Sequence, residues 1–159
     1  MSDGKFRTMR HIETVRNYLN MAVVELLRRA ERHDQSKLES PEVEFLEHHS
    51  KKLRSLTYGS PEYFVCLQEM KIGIESHYQN NSHHPEHFRD GINDMTLFDL
   101  IEMLCDWKSA SLRHDDGNIY KSLEINRDRY AIGDQLRWIL QNTIDFIESQ
   151  KVDHKAGES

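Results

Sequence analysis

From Met9 to Ala30, apolar residues fall at Ile12, Val15, Leu19, Val23, Leu26 and Ala30, at steps of three and four. That spacing stacks them on one helical face and predicts a long amphipathic first helix. Ser40-Pro41-Glu42 and Ser60-Pro61-Glu62 each pair a capping hydroxyl with a proline suited to a first helical turn. Two helices are expected from them, over about 41–56 and 61–80. The stretch from Asn81 to Met95, with Pro85, Gly91 and several Asn, Asp and His residues, breaks the period and predicts a structured loop. Thr96 then caps a helix carrying Leu97, Leu100, Ile101, Leu104 and Trp107, with Asp99 placed in the first turn to suit the helix dipole. Asp115-Asp116-Gly117 ends it. A short helix over 119–129 and a last one with Leu136, Ile139, Leu140, Ile144 and Ile147 follow. No window alternates apolar and polar residues as a strand does. The fold class expected is all-α: a single-domain bundle of five or six helices over 1–150, with a loose C-terminal tail at 151–159.

At 159 residues the chain has one domain's worth of material, large enough to bury a core without metal or disulfide staples. Any metal is then functional in purpose. Its 21 Lys and Arg against 27 Asp and Glu give a net charge of −6 and form no basic run, which disfavours a nucleic-acid partner. The two cysteines, Cys66 and Cys105, form no close pair, no apolar run is long enough for a membrane span, and no signal segment is visible. A reduced, cytoplasmic protein with no membrane association is expected. Histidine is in excess, at ten residues.

Four sets of residues can carry chemistry. His33 and Asp34 sit at the predicted end of the first helix, with Lys37 three residues on. Adjacent helical side chains diverge by about 100°, so both meet one ion only where a helix ends or distorts. The alternative is a histidine favoured by the helix C-terminus beside a solvated Asp–Lys pair. His11 starts the same helix, 22 residues earlier. A straight helix puts it about 33 Å away, so a shared ion requires a break near Tyr18–Met21 or a shorter first helix.

The third set is His77, His83, His84 and His87 with Glu86, four histidines and a glutamate within eleven residues. Neutral imidazoles are common metal ligands, and loops on a rigid scaffold build sites; a solvated polar loop is the alternative. The fourth is Asp106, next to Trp107 in an otherwise apolar helix, where a buried carboxylate needs a cation or a full set of donors. Glu102, Asp106, Ser109 and Arg113 share its face, which is otherwise simply the wet side of the helix.

The order His11, His33-Asp34, Asp106 on an all-helical chain resembles the HD-domain superfamily of metal-dependent phosphohydrolases. His33-Asp34-Gln35-Ser36-Lys37 is similar to its H-D-x-G-K, with Ser36 in place of glycine. The set HDQSK, HYQNNSHHPE and EMLCDW is more closely similar to a family of uncharacterised bacterial and phage proteins. The superfamily resemblance implies His11, His33, Asp34 and Asp106 as metal ligands, Asp34 and Lys37 as catalytic groups, and Lys37 facing a phosphate. By the same resemblance, His77, His83 or His84 serve a second metal or the substrate.

The donor set suits one or two divalent transition ions, Mn, Fe, Co, Ni or Zn, and lacks the thiolates of a structural zinc site. Lys37 and Arg113 are suited to neutralising substrate phosphate. The function expected is hydrolysis of a small phosphate ester, by superfamily analogy a nucleotide. A non-catalytic metal-binding or partner-binding module and an oxygen-using iron enzyme are the competing readings.

Overall fold

The structure is a computed structural model that describes residues 3–56, 61–112 and 117–156. The described residues are all-helical and include no strand. The chain divides into two compact units, Met1–Asn81 and Ser82–Ser159.

In the first unit, α1 (Asp3–Arg32) is a single unbroken helix of 30 residues. The long first helix that the periodicity predicts is there, and neither the break near Tyr18–Met21 nor the shorter helix that an ion shared by His11 and His33 requires occurs. Nothing interrupts the backbone ladder, since neither proline nor glycine lies between Gly4 and Pro41, and ion pairs Arg7–Asp3 and Arg29–Glu25 brace successive turns. Ile12, Val15, Leu19 and Val23 of its apolar stripe are exposed. The helix ends where the His33-Asp34 pair predicts. Asp34 takes a left-handed conformation, φ 57 and ψ 14, and a 3₁₀ turn over Gln35–Leu38 follows.

α2 (Glu42–Ser55) starts one residue after Pro41. The helix expected over 61–80 is divided at Met70 into α3 (Pro61–Glu69) and α4 (Lys71–Asn80). Met70 N–H still bonds Cys66 O and Ile74 N–H bonds Met70 O, so the ladder runs through the division. Counted as one, α3 and α4 bring the α-helices among the described residues to six, within the five or six the sequence predicts. Ser60 lies outside the described residues, as do Asp115 and Asp116.

In the second unit, the loop after Ser82 is ordered by 3₁₀ turns over Pro85–His87 and Gly91–Asp94. Gly91 takes φ 54, which a side chain would strain. α5 (Leu97–Ser111) opens with a capping box: Thr96 Oγ1 accepts from Asp99 N–H, and the Asp99 carboxylate accepts from Thr96 N–H. Asp99 does more than complement the dipole. It is buried and also accepts from Ser82 Oγ at 2.6 Å. α6 (Ile119–Arg129) is capped by Asn118, and α7 runs from Asp134 to Ala156, into the segment expected as a tail.

Leu100, Leu104 and Trp107 of α5, Ile119 and Leu123 of α6, and Leu140 and Ile144 of α7 form the core of this unit with Met103 and Ile132. Leu97 and Ile139, on the same periodic stripes, remain exposed. Leu123 is 0% exposed. Truncating such a side chain removes its transfer free energy and leaves a cavity, so Leu123→Ala is expected to cost about 2–5 kcal/mol. Chemical denaturation checks this, and an unchanged midpoint contradicts it.

Candidate metal centre

The left-handed turn at Asp34 resolves the divergence of adjacent helical side chains. It brings the Asp34 carboxylate back toward its neighbour, with His33 Nε2 3.5 Å from Oδ2. From α4, His77 Nε2 approaches the other oxygen, Oδ1, at 3.4 Å. One carboxylate thus has an imidazole nitrogen near each oxygen. Lys37 Nζ, one turn on, pairs with Oδ2. Asp34 and His77 were expected from the sequence as donors, and the first unit brings them together with His33.

A second carboxylate lies behind His77. Glu42, at the first turn of α2, is only 2% exposed and accepts hydrogen bonds from Ser36 Oγ at 2.8 Å and His77 Nδ1 at 3.0 Å. Asn81 Nδ2 lies 3.0 Å from the same Nδ1, yet it has Ser36 Oγ and the His77 carbonyl as acceptors for its two hydrogens, each at 2.8 Å. The network therefore assigns the His77 proton to Nδ1, directed at Glu42. His77 Nε2 is then an acceptor facing the Asp34 carboxylate, an arrangement that a cation between the two favours.

This is how proteins prepare a ligating histidine: the ring donates its other N–H to a carboxylate, which fixes the tautomer and raises ligand basicity. Glu42 and Asn81 were missed by the sequence reading. A glutamate in a first helical turn is normal dipole chemistry, and its only distinguishing signal is the Ser36 that lies six residues before it.

Burial, followed by the charge on Lys37, holds His77 below the usual histidine range against the opposing pull of Asp34 and Glu42. At Asp34 burial works to raise the pKa, but the Lys37 hydrogen bond and charge, with those of His33 and His77, outweigh it and hold the carboxyl low. The two effects on stability separate by pH. Unfolded His77 takes up a proton near pH 6.5 and the folded ring resists it, so this contribution is present above about 6.5 and lost as pH falls below it. The contribution of Asp34 persists until pH falls below about 3.9. Melting of the metal-free protein between pH 7.5 and 5 should therefore show a falling midpoint, with a shallower fall in His77→Gln. Equal slopes in parent and variant contradict the assignment.

His11 does not join this group. On the unbroken α1 it is exposed and stands six turns, about 33 Å, from His33. Its implied role as a ligand is withdrawn on that ground. Arg113 lies outside the described residues.

The second unit carries its own donors. His83 is 1% exposed, with Nδ1 3.1 Å from Glu102 Oε1, and the His84 ring lies 4.2 Å from the His83 ring. Asp106 is half-buried on α5, one turn after Glu102. His87 is exposed. Glu86 accepts from Arg129 and from the Tyr130 hydroxyl, tying the loop to the end of α6. Histidine and carboxylate donors among the described residues are close enough to hold a metal ion.

A model of the DUF5662 family, a family of unknown function, matches residues 1–149. The chain belongs to that family. No curated protein and no solved structure shows significant similarity to it. The match spans both donor groups, so the His33–Asp34 turn, the Glu42–His77 pair and the His83–Glu102 pair all lie within the segment that defines the family.

Proposed function

We propose that the chain is a metal-dependent phosphohydrolase acting on a small phosphate ester. The observation that carries this reading is the line from Glu42 through His77 to Asp34. A buried carboxylate fixes the His77 tautomer so that Nε2 and an Asp34 oxygen, 3.4 Å apart, face each other as two acceptors. Asp34 and His77 would hold the ion, with His33 beside the other Asp34 oxygen, and mixed imidazole and carboxylate donors fit Mn, Fe, Co, Ni or Zn. A bound divalent ion supplies a lowered water pKa and positive charge for a phosphoryl oxygen.

The chain's own groups do the rest. Asp34 is held ionised and would accept a hydrogen bond from an attacking water, orienting it. Lys37, beside the same carboxylate, meets the phosphate oxygens and neutralises charge that grows in the transition state. Glu42 keeps His77 in the required tautomer. By the resemblance Asp106 is a metal ligand, and metal content of Asp106→Asn tests that role, with a loss expected. His83→Ala tests in the same way whether His83 serves a second ion or the substrate; unchanged metal content and turnover would make the buried His83–Glu102 pair structural.

No described helix is long and apolar enough to cross a membrane. Cys66 and Cys105 are free thiols, which suits a reducing compartment, and we place the protein in the cytoplasm. Elemental analysis of freshly purified protein, with a screen of phosphorylated metabolites, tests the function directly. Stoichiometric transition metal and phosphate release abolished by a chelator are expected. A chelated protein that unfolds, with no turnover beforehand, would instead make the metal structural.

A further inference from the structure

Beside the candidate centre, the first unit has a cavity of about 70 Å³. Phe45 and Leu46 of α2 and Met70 and Ile74 at α4 provide its apolar walls, while Lys37, Glu42 and His77 also line it. Those three polar groups belong to the network around Asp34, so the cavity continues from the place where a phosphate would meet Lys37. The lining follows helical spacing on both sides. Glu42, Phe45 and Leu46 share one face of α2; Met70, Ile74 and His77 share one face at α4. Gly73 lets these faces approach closely, since a Cβ there would lie 2.8 Å from Phe45 Cβ.

Size decides what the cavity can take. A water molecule's share of volume is about 30 Å³, and an apolar cavity that binds benzene measures about 150 Å³. At about 70 Å³ and half open to solvent, this one encloses roughly two water-sized groups, so an aromatic ring or a nucleobase would stay largely outside it. Its walls offer an extended hydroxylated chain few partners. We propose that the cavity is a specificity pocket for the organic part of the substrate, and that this part is a short unbranched aliphatic chain of two or three carbons esterified to phosphate. The inference rests on the phosphohydrolase reading and replaces a nucleotide as the substrate class.

The test measures hydrolysis of methyl, ethyl, n-propyl and phenyl phosphate and a nucleoside monophosphate by the metal-loaded protein. KM should fall about fourfold for each methylene up to three carbons, as expected for burying a CH₂. Phenyl and nucleoside esters should do no better than methyl phosphate. Leu46→Ala, at an exposed wall position that tolerates truncation, should move the optimum to longer chains. A flat series, or a nucleoside ester as best substrate, overturns the pocket while leaving the phosphohydrolase standing.

Binding is read separately by following the Met70 and Ile74 methyl resonances of the parent protein during titration with n-propyl phosphate and with inorganic phosphate. Shifts with the ester alone support the pocket even where no ester is hydrolysed, an outcome that would sink only the hydrolase. No shift with either ligand overturns the pocket.

Discussion

Asp34→Asn is expected to stay folded and to lose metal affinity by at least about 100-fold, with phosphate release falling in step. The substitution is chosen for its backbone. Asp34 sits at φ 57 and ψ 14, a region that asparagine enters readily and alanine resists, so Asn removes the charge without opening the turn. What it removes is the carboxylate that His33 Nε2, His77 Nε2 and Lys37 Nζ all approach. Mutating partners that only orient a ligand already costs 10–100-fold in affinity, and a direct ligand costs more. Calorimetric titration with Mn²⁺ or Zn²⁺ reads the affinity, and circular dichroism confirms the fold. A variant that binds metal like the parent removes Asp34 from the centre and with it the proposed chemistry. Lys37→Ala should behave differently, retaining metal and raising KM or lowering kcat, because an ammonium binds oxyanions and cannot ligate a cation.

Helices were legible because this fold signals them locally. The proline-marked start before α2, the Thr96–Asp99 box and the three-and-four spacing of α5 each depend on neighbours within one or two turns. The same locality explains the errors. Leu97 carries the apolar period of α5 but faces solvent at its first turn, because periodicity shows which residues share a stripe and not where packing along that stripe begins. The break or shortening of α1 that an ion shared by His11 and His33 requires is contradicted by the local sequence itself: nothing from Lys5 to Ser40 is a helix breaker.

The candidate centre was half legible. His33 and Asp34 could be expected at a helix end, and His77 from its place in a histidine-rich segment. Glu42 could not. It is paired with His77 across 35 residues and with Ser36 across six, and nothing in an acidic first helical turn marks it as buried. Its role depends on α2 and α4 packing side by side at Gly73 and Phe45, a tertiary fact with only a single glycine as its trace in the sequence.

Glu42 is therefore where a pair of substitutions says most. Glu42→Ala should cost about 3 kcal/mol or more, because Ser36, Ser76 and His77 all direct donors at this buried carboxylate and would lose it together, at about 1–3 kcal/mol for each donor left unsatisfied. Glu42→Gln should cost far less. Its amide oxygen can take the Oε2 position that Ser36 and His77 share, leaving its NH₂ beside Ser76 Oγ, so shape and hydrogen bonds survive and only the charge goes. The neutral amide still holds the His77 tautomer but no longer raises the basicity of its ring. Metal affinity should then drop about 10-fold in a protein that melts within a few degrees of the parent. Thermal melts and metal titration of both variants separate the two effects. Should Glu42→Gln bind metal as tightly as the parent, the Glu42 charge adds nothing to the ligand and Glu42 is a packing residue of α2.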